Sequence, residues 1–111
     1  MKIDLKLNKE TLIVVSNLLQ ELYCLENTSN PKQKIYRSIG FDLAEKFEVK
    51  AKGLIKKNSL FDLNKKVNMS LKFHEAWALE IILNELCVML DNHYNQIVVN
   101  LIISELNQKL T

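Results

Sequence analysis

The sequence predicts a mainly α-helical domain of four helices, orthogonal or bundle-like, with a short two-stranded β-ribbon. Long stretches carry apolar residues at helical spacing, and two short stretches alternate apolar and polar residues as half-buried strands do. The chain contains only 2 Gly and 1 Pro, too few for a turn-rich β-sandwich. With 111 residues, 48% of them hydrophobic, residues 1–111 are expected to form one domain whose core needs no disulfide or metal.

The first strand is predicted over residues 2–7, where Ile3, Leu5 and Leu7 alternate with charged residues. Asn8 follows, and its side-chain oxygen is suited to cap a helix because it can accept a hydrogen bond from a free amide of the first turn. We therefore predict a helix over residues 8–27. Its apolar residues lie on one face: Leu12, Val15, Leu18, Leu19, Leu22 and Leu25.

The second helix is predicted over residues 31–56, with Asn30 as its N-cap and Pro31 as its first residue. Its apolar residues recur about every four positions, a spacing that drifts around the helix and suits packing across a neighbour at an angle. Gly40 lowers the helical propensity of this stretch. Gly53 either ends the helix as a left-handed cap, or the helix continues to Lys57.

A polar connection follows, in which Leu60, Phe61 and Leu63 are expected to turn inward. Residues 66–72 then alternate apolar and polar side chains, which predicts a second strand. A two-stranded pair is marginal alone and needs helices to pack against. We expect residues 2–7 and 66–72 to pair as the ribbon.

The third helix, predicted over residues 73–91, carries more apolar surface than one contact covers. At about 100° per residue, one wide apolar face contains Ala76, Leu79, Ile82, Leu83, Leu86, Cys87, Met89 and Leu90. A second stripe on another side contains Trp77, Ile81, Asn84 and Val88. We therefore predict a central helix with contacts on two sides. The second side meets either another helix of the same chain or another copy of the chain.

The fourth helix is predicted over residues 94–110, after a turn in which Asn92 is expected at positive φ. The short turn makes the last two helices antiparallel neighbours. The main apolar face of the fourth helix contains Val99, Ile102, Ile103, Leu106 and Leu110, and Ile97, Val98 and Leu101 extend beyond it. This helix therefore also carries more apolar surface than one neighbouring helix would cover.

No catalytic residue, cofactor or metal is expected. His74 and Glu75 would begin a zinc-protease motif, but that motif needs a second His where Ala78 stands. Glu75 is better explained by the helix dipole, which favours acids in the first turn. His93 is interpreted as turn surface. Phosphate-binding glycine loops and nucleophile elbows are absent from the sequence.

Cys24 and Cys87 lack metal-site or redox spacing, and both fall among apolar helical residues. We expect two buried free thiols rather than a disulfide. The N-terminal residues contain no apolar signal segment, and the central helix is too short and too acidic to span a bilayer. The expected location is the cytoplasm.

Lysine is unusually frequent: the chain has 14 Lys and a single Arg, Arg37. Residues 31–66 contain ten basic and four acidic residues, whereas residues 67–111 contain two basic and five acidic ones. The candidate polyanion-binding lysines are Lys46, Lys50, Lys52, Lys56 and Lys57. The favoured interpretation is a solvated helix face encoded by an AT-rich gene, a usage that would suit a mobile element.

The function expected from these features is that of a non-catalytic helical interaction module that self-associates, as a homodimer. The predicted contact residues are Trp77, Ile81, Asn84, Val88, Ile97 and Leu101, with Glu80 and Asn84 orienting the contact. One alternative is a nucleic-acid-associated accessory protein using the lysine-rich segment 46–66. Another is a small regulator or inhibitor that docks on a larger protein.

Overall fold

The computed structural model describes residues 2–25, 29–56 and 66–111, with the backbone alone for residues 54–56. Within this part of the chain the mainly α-helical class is confirmed, with four α-helices and one two-stranded sheet. The elements, in chain order, are β1 (Lys2–Asn8), α1 (Lys9–Leu19), a 3₁₀ helix (Gln20–Cys24), α2 (Pro31–Lys56), β2 (Lys66–Lys72), α3 (Phe73–Cys87) and α4 (His93–Leu110). The expected inward turn of Leu60, Phe61 and Leu63 lies outside the described residues.

The predicted ribbon is confirmed as an antiparallel pair in which Lys2 faces Lys72, Leu5 faces Met69 and Asn8 faces Lys66. The inward residues of β1 are all buried and lie opposite Val67, Met69 and Leu71 of β2. The outward residues of both strands are polar or charged. One face of the ribbon therefore belongs to the core and the other faces water, which is why both strands alternate.

The first helix is shorter than predicted. α1 begins after Asn8, whose Oδ1 accepts a hydrogen bond from the Thr11 amide at 2.7 Å. It ends at Leu19 and tightens into the 3₁₀ helix. Three residues per turn align Leu19 and Leu22 on the core side. The prediction that Cys24 is buried is wrong, because the same tightening leaves Cys24 exposed.

The second helix runs unbroken from Pro31 to Lys56, so neither Gly40 nor Gly53 ends it. Gly40 is buried where α2 meets α3. A Cβ atom at Gly40 would lie 2.7 Å from the terminal methyl of Ile82 and 2.7 Å from a methyl of Leu22. The absence of a side chain at Gly40 therefore lets these two methyl groups pack against the α2 backbone, despite the low helical propensity of glycine.

The third and fourth helices are antiparallel neighbours, as expected, but their junction differs in detail. α3 ends at Cys87, so Met89 leaves the helical face predicted to be buried and is exposed. Asn92 does not take positive φ; its φ is −82°, and it caps α4. Its Oδ1 accepts hydrogen bonds from the amides of Tyr94 at 2.8 Å and Asn95 at 3.3 Å. The chain therefore reverses direction between α3 and α4 through a capped helix start, without a residue in the left-handed conformation.

The four helices pack in a ring, with α1 on α2, α2 on α3, α3 on α4 and α4 on α1. Adjacent residues of α2, Tyr36 and Arg37, reach Trp77 and Glu85, which are eight positions apart on α3. Such contacts are expected of two helices that cross steeply. The ribbon covers the same buried cluster, with Phe47 of α2 among its largest members.

Candidate functional site: the outer face of the third helix

The second apolar stripe of α3 lies on the outside of the molecule, and we call it the α3 face: Trp77, Ile81, Asn84 and Val88. It lies opposite the buried residues Leu79, Ile82, Leu83 and Leu86. Trp77 is 41% exposed and Val88 is 83% exposed, whereas Ile81 is half-buried. The ring of helices therefore covers one side of α3 and leaves the predicted contact stripe open.

Trp77 is supported by a neighbour that the sequence analysis did not identify. Its ring meets Tyr36 of α2 edge to face, with centroids 5.0 Å apart and 68° between the planes. This geometry is a favoured aromatic arrangement. Phe73, one turn earlier on α3, is also exposed. The apolar surface around Trp77 therefore extends towards Phe73 along α3 and towards Tyr36 on α2.

On its other side, the α3 face is bordered by a polar seam between α3 and α4. The Asn107 side chain donates to Glu80 Oε1 at 3.0 Å, and the Cys87 thiol donates weakly to Asn100 Oδ1 at 3.9 Å. Both asparagines belong to α4, so its Asn100 side is the one turned towards α3. The seam fixes the two helices side by side through uncharged amides and a single carboxylate.

Ile97 and Leu101 of α4 form a second exposed apolar strip, with exposures of 47% and 65%. At about 100° per residue they lie roughly 60–100° around α4 from Asn100. Because Asn100 faces α3, the structure separates Ile97 and Leu101 from the α3 face by the polar seam. The six predicted contact residues therefore form two exposed strips on one pair of helices, rather than one continuous patch.

Asn84 and Glu80, the residues expected to orient a contact, are linked to each other. The Asn84 side-chain amide donates to the Glu80 backbone carbonyl one turn earlier, at 3.0 Å. That bond holds the exposed Asn84 side chain in one orientation and leaves its oxygen free to accept. Glu80 is held through its carboxylate by Asn107. Both side chains are thus positioned before any partner arrives.

The candidate polyanion-binding lysines do not share one face of α2. Lys46 donates to the Ser70 carbonyl of β2 at 2.9 Å, and Lys52 forms an ion pair with Glu48 at 2.8 Å. Lys50 is exposed. At about 100° per residue, Lys52 lies roughly 120° from Lys46 around the helix. The side chain of Lys56 and the whole of Lys57 lie outside the described residues.

The two histidines are both exposed, His74 at the start of α3 and His93 at the start of α4. Between them lies the length of α3, about 22 Å at 1.5 Å per residue. Among residues 2–25, 29–56 and 66–111, no three His, Cys, Asp or Glu side chains are grouped as metal ligands would be. Cys24 and Cys87 are free thiols.

One pocket lies between α1 and the end of α3, with a volume of about 260 Å³. Its lining combines Val14 and Leu18 with Met89, and includes the polar residues Asn17 and Glu21. Pockets that enclose small-molecule ligands usually measure about 300–1,000 Å³. This pocket is below that range, and a second, shallow one of about 330 Å³ on α2, lined by Asp42, Glu45, Lys46, Val49 and Lys50, is at its lower end.

No protein-family profile, curated protein or solved structure matches this chain. Within the described part of the chain, no helix is both long and apolar enough to cross a membrane.

Proposed function

We propose that this protein is a non-catalytic helical interaction module, and that it self-associates as a homodimer through the outer surfaces of α3 and α4. The observation that supports this most directly is the open α3 face, with Trp77 half-exposed on its Tyr36 support and Val88 almost fully exposed. Apolar side chains grouped on one surface are typical of protein contact sites. Tryptophan is also among the residues that contribute most to such contacts.

A second copy of the chain is the partner that the charges favour. The polar seam between the two strips contains Asn100 and Asn107, and its carboxylate, Glu80, already accepts a hydrogen bond. Two such surfaces can therefore meet across a twofold axis with little repulsion between like charges. A strongly acidic or basic partner would gain little from this surface.

The dimensions also suit a dimer of modest size. α3 and α4 contain 15 and 18 residues, which makes them about 22 and 27 Å long. Two helices side by side, each about 10 Å across, offer on the order of 500 Å² in projection. The accessible area is larger than this projected area because side chains protrude from the helices. A standard interface buries about 800 Å² per partner, so the two areas are comparable. The contact would join two helix pairs into a four-helix layer.

In this mechanism Trp77 and Val88 are the anchors, and Ile97 and Leu101 extend the contact beyond the seam. Burying a tryptophan anchor contributes about 2 kcal/mol or more, which corresponds to about thirtyfold in affinity. The Asn84 oxygen that remains free would accept a hydrogen bond from the partner and set the register of the two copies.

Size-exclusion chromatography with light scattering tests the proposal. At micromolar concentration, the wild-type protein is expected to elute as a species with twice the mass of one chain. Val88→Glu should give a monomer because it places an unpaired charge in the contact, and Trp77→Ala should weaken the dimer by about thirtyfold. Val49→Glu is the matched control, since Val49 is an exposed valine on α2, away from this surface.

A wild-type chain that stays monomeric at all concentrations would refute self-association. The exposed α3 face would then favour the regulator hypothesis, in which this surface docks on a larger protein. A dimer that Val88→Glu and Trp77→Ala leave intact would place the contact elsewhere on the chain.

A further inference from the structure

The outer face of the ribbon is a basic surface built from two distant parts of the sequence. The exposed side chains of β1 include Lys2, Asp4 and Lys6, and those of β2 include Lys66 and Lys72. Four lysines and one aspartate thus occupy the outer face of the ribbon. Its apolar side chains all point to the opposite, inner face. We call this the ribbon face. We propose that it binds the phosphate backbone of nucleic acid.

The strand register brings the lysines together in two pairs. Lys2 lies directly opposite Lys72, and Lys6, which faces Asn68, is diagonal to Lys66. Diagonal partners on one face of a ribbon are about 7–8 Å apart. The two pairs lie at opposite ends of the face, about 14 Å apart, since four residues separate Lys2 from Lys6 and a strand rises about 3.4 Å per residue.

The pair at the first end is particularly close. Asp4 and Ser70 lie opposite each other, and both of their carbonyls accept hydrogen bonds from helix lysines outside the ribbon. Carbonyls that point away from the partner strand mark a pair without mutual hydrogen bonds. Pair types alternate along the ribbon, so Lys2 and Lys72 form the same type, with Cα atoms about 4.5 Å apart.

Like-charged side chains on directly opposite residues destabilise a ribbon, and an anion between them relieves that repulsion. Among the described residues, none of the four lysines of the ribbon face forms an ion pair within 4.0 Å. The Glu75 carboxylate accepts a hydrogen bond from the backbone amide of Lys72 at 2.8 Å. A phosphate group bridging Lys2 and Lys72 would relieve the repulsion between them.

Helix lysines cover the two edges of the ribbon, and Lys109 is also ion-paired with Glu105. Lys109 of α4 donates to the Asp4 carbonyl at the β1 edge, and Lys46 of α2 donates to the Ser70 carbonyl at the β2 edge. A lysine on an edge strand discourages pairing with another chain. The ribbon therefore offers a ligand its lysine-bearing face rather than a backbone edge.

The composition of the face favours nucleic acid over a protein or a membrane. A protein contact needs a buried apolar or aromatic centre, and a lipid surface needs apolar side chains to insert. The ribbon face has neither, because its uncharged members are Asn8, Asn68 and Ser70. These side chains can donate to phosphate oxygens, as serine and asparagine commonly do.

The length of the face also fits a phosphate backbone. The two lysine pairs, about 14 Å apart, would contact the backbone at two separate points, and each of the four lysines can neutralise one phosphate charge. In the absence of an arginine or an aromatic residue on this face, the binding would not distinguish base sequence. The inference does not depend on self-association, although a dimer would carry two such faces.

Fluorescence anisotropy with a labelled mixed-sequence DNA duplex tests the inference in a Val88→Glu background, which removes the proposed dimer. Binding is expected at about 50 mM salt and should weaken on the order of a hundredfold by 200 mM, because about four phosphate contacts release counterions. The quadruple variant Lys2→Gln, Lys6→Gln, Lys66→Gln, Lys72→Gln should lose at least tenfold in affinity and most of the salt dependence.

The matched control is the quadruple variant Lys32→Gln, Lys34→Gln, Lys50→Gln, Lys52→Gln. It removes the same charge from exposed positions of α2 and should lose less than threefold in affinity. Asp4→Asn should strengthen binding, since it removes the carboxylate from the face. Circular dichroism of each variant confirms that the fold is retained.

The inference would be overturned by no binding at low salt, by equal losses in the two quadruple variants, or by equally tight binding of poly-glutamate. Binding to phosphatidylserine vesicles without binding to the duplex would also overturn it, and would assign the surface to lipid headgroups instead.

Discussion

Trp77 of α3 and Tyr36 of α2 meet edge to face, with ring centroids 5.0 Å apart. Tyr36 supports one edge of the indole, and 41% of Trp77 stays exposed to water. A tryptophan held in this way loses little side-chain entropy when a partner covers it. The contact therefore makes Trp77 a prepared anchor for the proposed dimer.

Because Trp77 is the only tryptophan, its fluorescence reports directly on the proposed contact. We expect the emission to shift to longer wavelength as the protein is diluted, because dissociation returns the indole to water. Val88→Glu should show the long-wavelength emission at every concentration, and Val49→Glu should behave as wild type. An emission maximum that does not depend on concentration, in a protein shown to be dimeric, would place Trp77 outside the contact.

The two glycines of α2 should respond in opposite ways to larger side chains. Gly40→Leu is expected to lower the free energy of unfolding by about 2 kcal/mol, because the new side chain would overlap Ile82 and Leu22. A Cβ atom at Gly53 would have no atom within 4 Å. Gly53→Ala should therefore raise the free energy of unfolding by about 0.5–1 kcal/mol, because alanine has the higher helical propensity. Chemical denaturation measures both. Equal effects of the two substitutions would contradict the close packing at Gly40.

Lys46 should contribute to stability in a way that its neighbour Lys50 does not. Lys46→Met removes the hydrogen bond to the Ser70 carbonyl and is expected to cost about 1 kcal/mol of unfolding free energy. Lys50→Met removes an exposed charge and should change stability by less than about 0.5 kcal/mol. Thermal unfolding of both variants checks this. A loss of similar size in each would mean that the bond at the β2 edge has no net effect.

The ionisation of Tyr94 is expected to make stability depend on pH in the alkaline range. A hydrogen bond to Glu10, together with the negative charge of Glu10, raises the pKa of Tyr94 above its ordinary value near 10. The neutral phenol is thus favoured in the folded protein, so its contribution to stability is complete below pH 10 and is lost as pH rises through the higher, folded-state pKa.

Absorbance titration of the phenolate measures that pKa. Glu10→Gln should bring the pKa of Tyr94 back towards its ordinary value, because the carboxylate charge is removed. The Tyr94→Phe variant assigns the Tyr94 transition. A titration of Tyr94 that Glu10→Gln leaves unchanged would exclude the Glu10 contact.

The four helices and the ribbon could be predicted from the chain because their signals are local. Apolar residues every three or four positions, Asn8 and Asn30 at helix starts, and the alternation in residues 2–7 and 66–72 each act within a few residues. The same local signals identified the α3 face, since a second apolar stripe on one helix is visible without knowing its neighbours. The predictions for Cys24, Met89 and Asn92 were wrong because the chain takes a different local geometry after α1 and between α3 and α4.

Several features depended on contacts between distant residues and were decided only by the tertiary structure. The close approach of Ile82 and Leu22 to Gly40, the support of Trp77 by Tyr36 and the polar seam at Glu80 each join separate helices. The lysines of the ribbon face come from strands some sixty residues apart in sequence, so their pairing exists only once the strands are in register. Periodicity determines which side of a helix or strand is apolar. Packing decides which element covers that side, and so which apolar and charged groups remain exposed for a partner.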